Sequence, residues 1–101
     1  MTGNQGVHQD AESRAELFIE GHVQGVFFRG STRRRARSVG VDGYVRNLPD
    51  GRVEAVFEGN ERTVKDMVNW CHQGPSSARV DSVDIEWTNP TGEFSGFNIR
   101  Y

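Results

Sequence analysis

The chain contains one cysteine, Cys71, in 101 residues. No intramolecular disulfide can therefore staple the fold, and no Cys or His spacing matches a structural zinc site. It contains one lysine, Lys65, so nearly all of its positive charge is carried by arginine. Nowhere do about 18 apolar residues follow one another, which excludes a helical membrane span. The N-terminus also lacks the basic stretch and apolar run of a secretory signal, so a cytoplasmic protein is expected. A net charge of −2 argues against a generic affinity for nucleic acid.

What is present suits one small domain. Hydrophobic residues at 35% and aromatics at 10% supply a single core, and the length leaves no room for a second. Residues Met1 to Ser13 have Val7 as their only sizeable apolar side chain, too little to offset the entropy of ordering, and are expected to form a flexible tail. Residues 14–101 show no linker and no repeat, and form the domain. Within it Arg29, Arg33, Arg34, Arg35 and Arg37 crowd one segment. A solvated helix face is the ordinary reading of such a run, although its local field also attracts small anions.

Ala15, Leu17 and Ile19 alternate with Glu16, Phe18 and Glu20, the period of a strand that ends near His22. After a loop, Phe28, Thr32, Ala36 and Val39 share a helical face, and Gly40 is a natural stop. Val41, Gly43, Val45 and Asn47 line one side of a second strand, and Val53, Ala55 and Phe57 one side of a third. Between them Leu48-Pro49-Asp50-Gly51 predicts a hairpin turn. Asn60 can cap a second helix whose apolar face is Val64, Met67, Val68 and Cys71, with Gly74-Pro75 ending it. Val80, Val83, Ile85 and Trp87 suggest a fourth strand with an irregularity near Asp81 and Ser82, and Phe97, Ile99 and Tyr101 a short fifth. The order predicts an α+β, ferredoxin-like two-layer sandwich: βαββαβ with an additional C-terminal strand, and an antiparallel sheet covered on one face by two helices.

The segment Gly21-His22-Val23-Gln24-Gly25-Val26-Phe27-Phe28-Arg29 joins the first strand to the first helix. It lacks the Gly-Lys-Ser/Thr ending of a nucleotide-binding loop. On glycine spacing alone a tight turn is its commoner explanation. It can equally cradle an anion, because glycines clear the approach, backbone N–H groups converge, and a helix N-terminus adds its dipole. Arg29 in the first turn would contribute a planar, permanently charged fork. Taken alone, though, Arg29 reads as a surface cation and Asn47 as a turn residue.

The whole string, together with Gly40-Val41-Asp42-Gly43-Tyr44-Val45-Arg46-Asn47 and Asp50-Gly51-Arg52-Val53-Glu54, resembles the two signatures of the acylphosphatase family. The resemblance runs from about Ala15 to Tyr101, with Tyr44 where Trp is common. It implies that Arg29 holds a substrate phosphoryl group, helped by the loop amides of Gln24, Gly25, Val26, Phe27 and Phe28. Asn47 by the same resemblance positions the attacking water. Gln24 is left between shaping the loop and touching substrate, and His22 has no assigned role. The implied reaction is hydrolysis of a small-molecule acyl phosphate by a monomer needing no cofactor or metal, with neither nucleic acid nor membrane as partner. Its carboxylate leaving group is a weak base, so positioning and charge stabilisation suffice without a strong general acid. Two other readings share the strand order: a nucleic-acid-binding module, disfavoured by the acidic Val53-Glu54-Ala55-Val56-Phe57-Glu58 strand, and a non-catalytic domain that only binds a phosphometabolite.

Overall fold

A computed structural model describes residues 11–101. Most of the expected tail, Met1 to Asp10, lies outside the described residues. The chain runs β1 (Glu12–His22), α1 (Phe28–Val39), β2 (Asp42–Asn47), β3 (Val53–Asn60), α2 (Glu61–Cys71), β4 (Arg79–Thr88) and β5 (Phe97–Arg100). The tail boundary drawn at Ser13 needs correction. Glu12 and Ser13 stand opposite Asn60 and Gly59 in the β1–β3 pairing, and the Ala11 carbonyl accepts the Glu61 N–H at 2.8 Å. These residues have little to bury, and backbone pairing holds them.

The five strands lie in the order β4-β1-β3-β2-β5. All neighbours are antiparallel except β5, which runs parallel to β2, so the sheet is mixed and not purely antiparallel. Chain length explains the direction of β5. Its connection, residues 89–96, must pass from one sheet edge to the other, four strand spacings of about 4.8 Å. Eight residues reach at most about 26–29 Å. That suffices to cross the sheet at one end and leaves too little to climb back to the other. The strand therefore starts from the end where β4 stopped.

The alternation read in the sequence decides which face is covered. Ala15, Leu17 and Ile19 of β1, Val45 of β2, Val53, Ala55 and Phe57 of β3 and Phe97 of β5 are buried against Phe28 and Ala36 of α1 and Val64, Met67, Val68 and Cys71 of α2. Phe57 and Phe97 stack at 5.5 Å, and Phe28 meets Trp70 of α2 at 5.6 Å. Phe28 is 1% exposed at the first position of α1. Truncating such an aromatic costs about 3–5 kcal/mol, so it fixes where the helix begins. Val39, expected on the same face, is 36% exposed, because the helix ends there and Gly40 turns the chain away. Asn60 caps α2 as expected, accepting the Arg62 N–H at 2.9 Å. The irregularity in β4 is a bulge: Glu20 pairs Ser82 and Gly21 pairs Val80, leaving Asp81 as the extra residue.

The face away from the helices is partly closed by the connection between β4 and β5. Glu58 of β3 is its anchor, accepting from Thr91 N–H, the Thr91 hydroxyl, Gly92 N–H and the Arg14 guanidinium, the last at 2.6 Å. Burial alone would raise its pKa, but these donors outweigh burial and hold the carboxyl down at about 2. A depressed acid stabilises the fold above its unfolded value and loses that contribution as pH falls toward the folded one. Stability should therefore drop between about pH 4.3 and 2, by up to about 3 kcal/mol from this group. Denaturant titrations across this range should show a flatter acid limb for Glu58→Gln than for the wild type; identical limbs would assign the acid sensitivity to other carboxylates.

Candidate active site

The loop between β1 and α1 takes its shape from three local constraints. Gly21 has φ +136°, and a Cβ there would sit 2.1 Å from the Arg79 carbonyl oxygen of β4, so only glycine lets the bulged strand pass. Gly25 at φ +77° turns the chain back in the left-handed region open to glycine. Phe27 is the only non-glycine with positive φ among the described residues, at +65°, and it immediately precedes α1. Such a conformation costs of order 1–3 kcal/mol and must be held by its surroundings.

Two side-chain bonds hold the loop at different points. Gln24 Nε2 donates to the Leu48 carbonyl at 2.8 Å and the Arg52 carbonyl at 2.9 Å. Ser77 Oγ, from the segment before β4, donates to the Val26 carbonyl at 2.8 Å. Leu48 N–H bonds the Arg52 carbonyl and Gly51 N–H the Leu48 carbonyl, closing the expected hairpin, so Gln24 grips the base of the turn that follows Asn47. The Gln24 side chain thus ties loop to hairpin.

The first backbone bond of α1 runs from Ser31 N–H to the Phe27 carbonyl at 3.0 Å, and Phe27 offers no side-chain cap. Among the described residues no protein acceptor takes the N–H groups of Gly25 to Gly30. Beside them is a cavity of about 350 Å³, lined by Gly25, Phe27, Phe28, Arg29 and Gly30 from the loop and helix start and by Asn47 from the end of β2. Uncapped amides at a helix start favour negative charge, and Arg29 adds a full positive one. The Arg29 guanidinium lies 5.1 Å from the centroid of the Tyr101 ring. Asn47 Oδ1 is buried without a hydrogen-bond partner. A buried amide oxygen without a donor costs about 1–3 kcal/mol.

Of the residues singled out in the sequence, Arg29, Asn47, Gly25, Phe27 and Phe28 meet at this cavity. Gln24 and Val26 turn their side chain and carbonyl, respectively, to neighbouring segments. His22 is exposed opposite Arg79 and takes no part in the lining. Cys71 is fully buried in α2, and burial pushes its thiol pKa up, which suits a core residue and not a nucleophile. Sequence reasoning missed Arg33, Ile99 and Tyr101, which complete the wall. Arg33 stands one helical turn beyond Arg29, so helical spacing could have found it. Ile99 and Tyr101 could not be found locally, because they arrive through the β5 pairing.

A two-helix, five-strand α+β sandwich with an anion-receptive loop at the start of its first helix defines a class of small phosphate-handling domain. The family model for acylphosphatases matches residues 15–99. An acylphosphatase of Roseiflexus sp. (strain RS-1) is 62% identical over 87 residues, covering 86% of this chain and 94% of that protein. Another, from Rubrobacter xylanophilus, is 55% identical over 87 residues, covering 86% and 79%. Among solved structures, an acylphosphatase from Coxiella burnetii aligns with TM-score 0.82 at 35% identity, covering 88% of this chain and 93% of the other. One from Bacillus subtilis aligns with TM-score 0.84 at 28% identity, covering 88% and 99%. The chain belongs to the acylphosphatase family and, with it, to the hydrolases.

The Gln24 latch carries a direct test. Gln24→Ala removes both donations to the hairpin and should lower the melting temperature by about 5–10 °C, the equivalent of roughly 1–2 kcal/mol in a domain this size. Gln24→Glu should cost more, since a carboxylate aimed at two carbonyl oxygens repels them. Thermal denaturation at neutral pH ranks the two variants, and a wild-type melting temperature for Gln24→Glu would contradict the latch.

Proposed function

We propose that this chain hydrolyses the carboxyl-phosphate bond of small-molecule acyl phosphates, with Arg29 and the amides at the start of α1 holding the phosphoryl group and Asn47 aiming the attacking water. The observation that carries the reading is the meeting of Asn47 and Arg29 in the wall of one cavity at the start of α1. A water held by the Asn47 side-chain amide at the cavity wall keeps a lone pair free to attack phosphorus, while the phosphoryl oxygens accept from the guanidinium and the uncapped amides. The water oxygen forms the new P–O bond, the bond to the acyl oxygen breaks, and its electron pair leaves with the carboxylate. The water's proton passes to a phosphoryl oxygen, so an acyl phosphate dianion and water become a carboxylate and dihydrogen phosphate.

Nothing in this sequence of events asks for a metal, a covalent intermediate or a strong general acid. On this reading the chain works as a monomer in the cytoplasm, without a cofactor. Among the described residues no group of three or more His, Cys, Asp or Glu gathers to hold a metal ion, and no helix is long and apolar enough to cross a membrane. A nucleic-acid platform gains no support, since on the face away from the helices Glu58 is buried under the β4–β5 connection and Arg14 and Arg46 are tied to Glu16, Glu58 and Glu54.

Turnover of an aromatic acyl phosphate should persist in excess EDTA. Loss of activity that Mg²⁺ restores would refute the metal-free reaction. Arg29 contacts phosphoryl oxygens before and during reaction, so Arg29→Ala should weaken inhibition by inorganic phosphate and slow turnover on the order of 10³-fold or more. Asn47 acts on the water, so Asn47→Ala should lower kcat steeply while the phosphate inhibition constant stays within about threefold. Near-normal kcat in Asn47→Ala would return that residue to a turn role.

A further inference from the structure

After α2 the chain passes directly against the first residue of α1. Gly74 has φ +68°, and a Cβ there would stand 2.6 Å from the Phe28 ring, so this glycine seats the segment on the helix start. A turn follows at once, closed by the Ala78 N–H on the Pro75 carbonyl at 2.9 Å. Ser77 belongs to that turn and is exposed, and its Oγ donates to the Val26 carbonyl at 2.8 Å. Neither Ser77 nor Val26 lines the cavity, whereas Gly25 and Phe27, on either side of Val26, do.

A peptide group is planar, and in the trans form its C=O and N–H point in opposite directions. The Val26–Phe27 bond is trans, so the Val26 carbonyl held out to Ser77 obliges the Phe27 N–H to point away from Ser77. Among the described residues that N–H has no acceptor on the protein. Phe27 is also strained about this same plane, since φ +65° is a left-handed value that residues other than glycine avoid. Turning the plane through half a turn would bring φ of Phe27 to about −115°, on the side of the map open to any residue. It would also reverse the C=O and the N–H together. The strain at Phe27 thus pulls toward the reversed plane, and the Ser77 bond resists it.

We propose that Ser77 is a positioning residue for the hydrolysis: by holding the Val26 carbonyl outward it keeps the Phe27 N–H turned to the cavity, where that amide donates to the phosphoryl oxygens. The inference rests on the reading of this cavity as the acyl phosphate site. Ser77 touches no substrate atom and acts through one peptide plane. The substrate meets an amide already aimed, and no binding energy goes into turning the backbone.

Threonine keeps the hydroxyl, and valine has the shape of threonine without it, so the two variants isolate the hydrogen bond. Ser77→Val should raise the phosphate inhibition constant and lower kcat/KM for an aromatic acyl phosphate by roughly threefold to tenfold, the net worth of one hydrogen bond. Ser77→Thr should keep both within about twofold of the wild type. Strain released at Phe27 offsets the lost bond, so the melting temperatures of the two variants should agree within about 3 °C. Amide NMR supplies a readout independent of hydrolysis. On titration with inorganic phosphate the Phe27 N–H resonance should move in the wild type and in Ser77→Thr, and much less in Ser77→Val. A Ser77→Val protein that binds phosphate as the wild type does, or a Phe27 resonance that responds equally in both variants, would overturn the proposal. So would a lower melting temperature with an unchanged phosphate inhibition constant, the mark of a merely structural bond. Absence of turnover on every acyl phosphate would defeat the proposed reaction, and the phosphate titration would still decide the role of Ser77.

Discussion

Gln24 Nε2 donates at once to the carbonyls of Leu48 and Arg52, and those two bonds set the position of the loop against the hairpin. They add to the direct link between the helix that carries Arg29 and the strand that carries Asn47, which Gly40-Val41 joins and core packing holds together. Catalytic groups need placement within a fraction of an ångström, and long, exposed side chains cannot supply that unaided. A single primary amide can, because both of its hydrogens find acceptors on the two sides of one turn. The Ser77 bond to Val26 supports the loop from its other flank. The left-handed Phe27 and the tight passage at Gly21 are conformational costs that this bracing sustains.

Charge is distributed with the same economy. On the face away from the helices, arginines are paired with acids: Arg14 with Glu58 and Glu16, and Arg46 with Glu54. On the seam between α1 and β5 the arginines meet carbonyls, an aromatic ring and open space. The first arrangement holds the sheet and its crossing connection together. The second leaves positive charge unspent where an anionic ligand can use it. A chain with a slightly negative total thus sets two arginines, Arg29 and Arg33, on one cavity, and the total charge says little about the site.

The parallel pairing of β5 with β2 has consequences well beyond the sheet edge. It brings Ile99 and Tyr101 beside α1, closing the wall of the cavity and giving the Arg29 guanidinium a ring to rest on. The pairing in turn depends on the connection pinned by Glu58 to the opposite face. An acid on one side of the sheet therefore helps shape the cavity on the other.

Much of this was legible in the residues alone. The alternation of Ala15, Leu17 and Ile19, the helical spacing of Val64, Met67, Val68 and Cys71, the Asn60 cap and the Pro49-Gly51 turn are local signals, each decided by backbone geometry within a few residues. They determine the order of elements and the buried face, and the two motifs determine the family. The sequence could not decide the start of β1, because Glu12 and Ser13 are held by backbone bonds to β3 that no side chain announces. Nor could it decide the direction of β5, which follows from the reach of the connection across the assembled sheet. The Gln24 latch and the unpartnered Asn47 oxygen exist only once distant segments meet, because each is a relation between groups separated along the chain. Local physics chose the pieces; the distances between them, and hence the chemistry, were settled by tertiary packing.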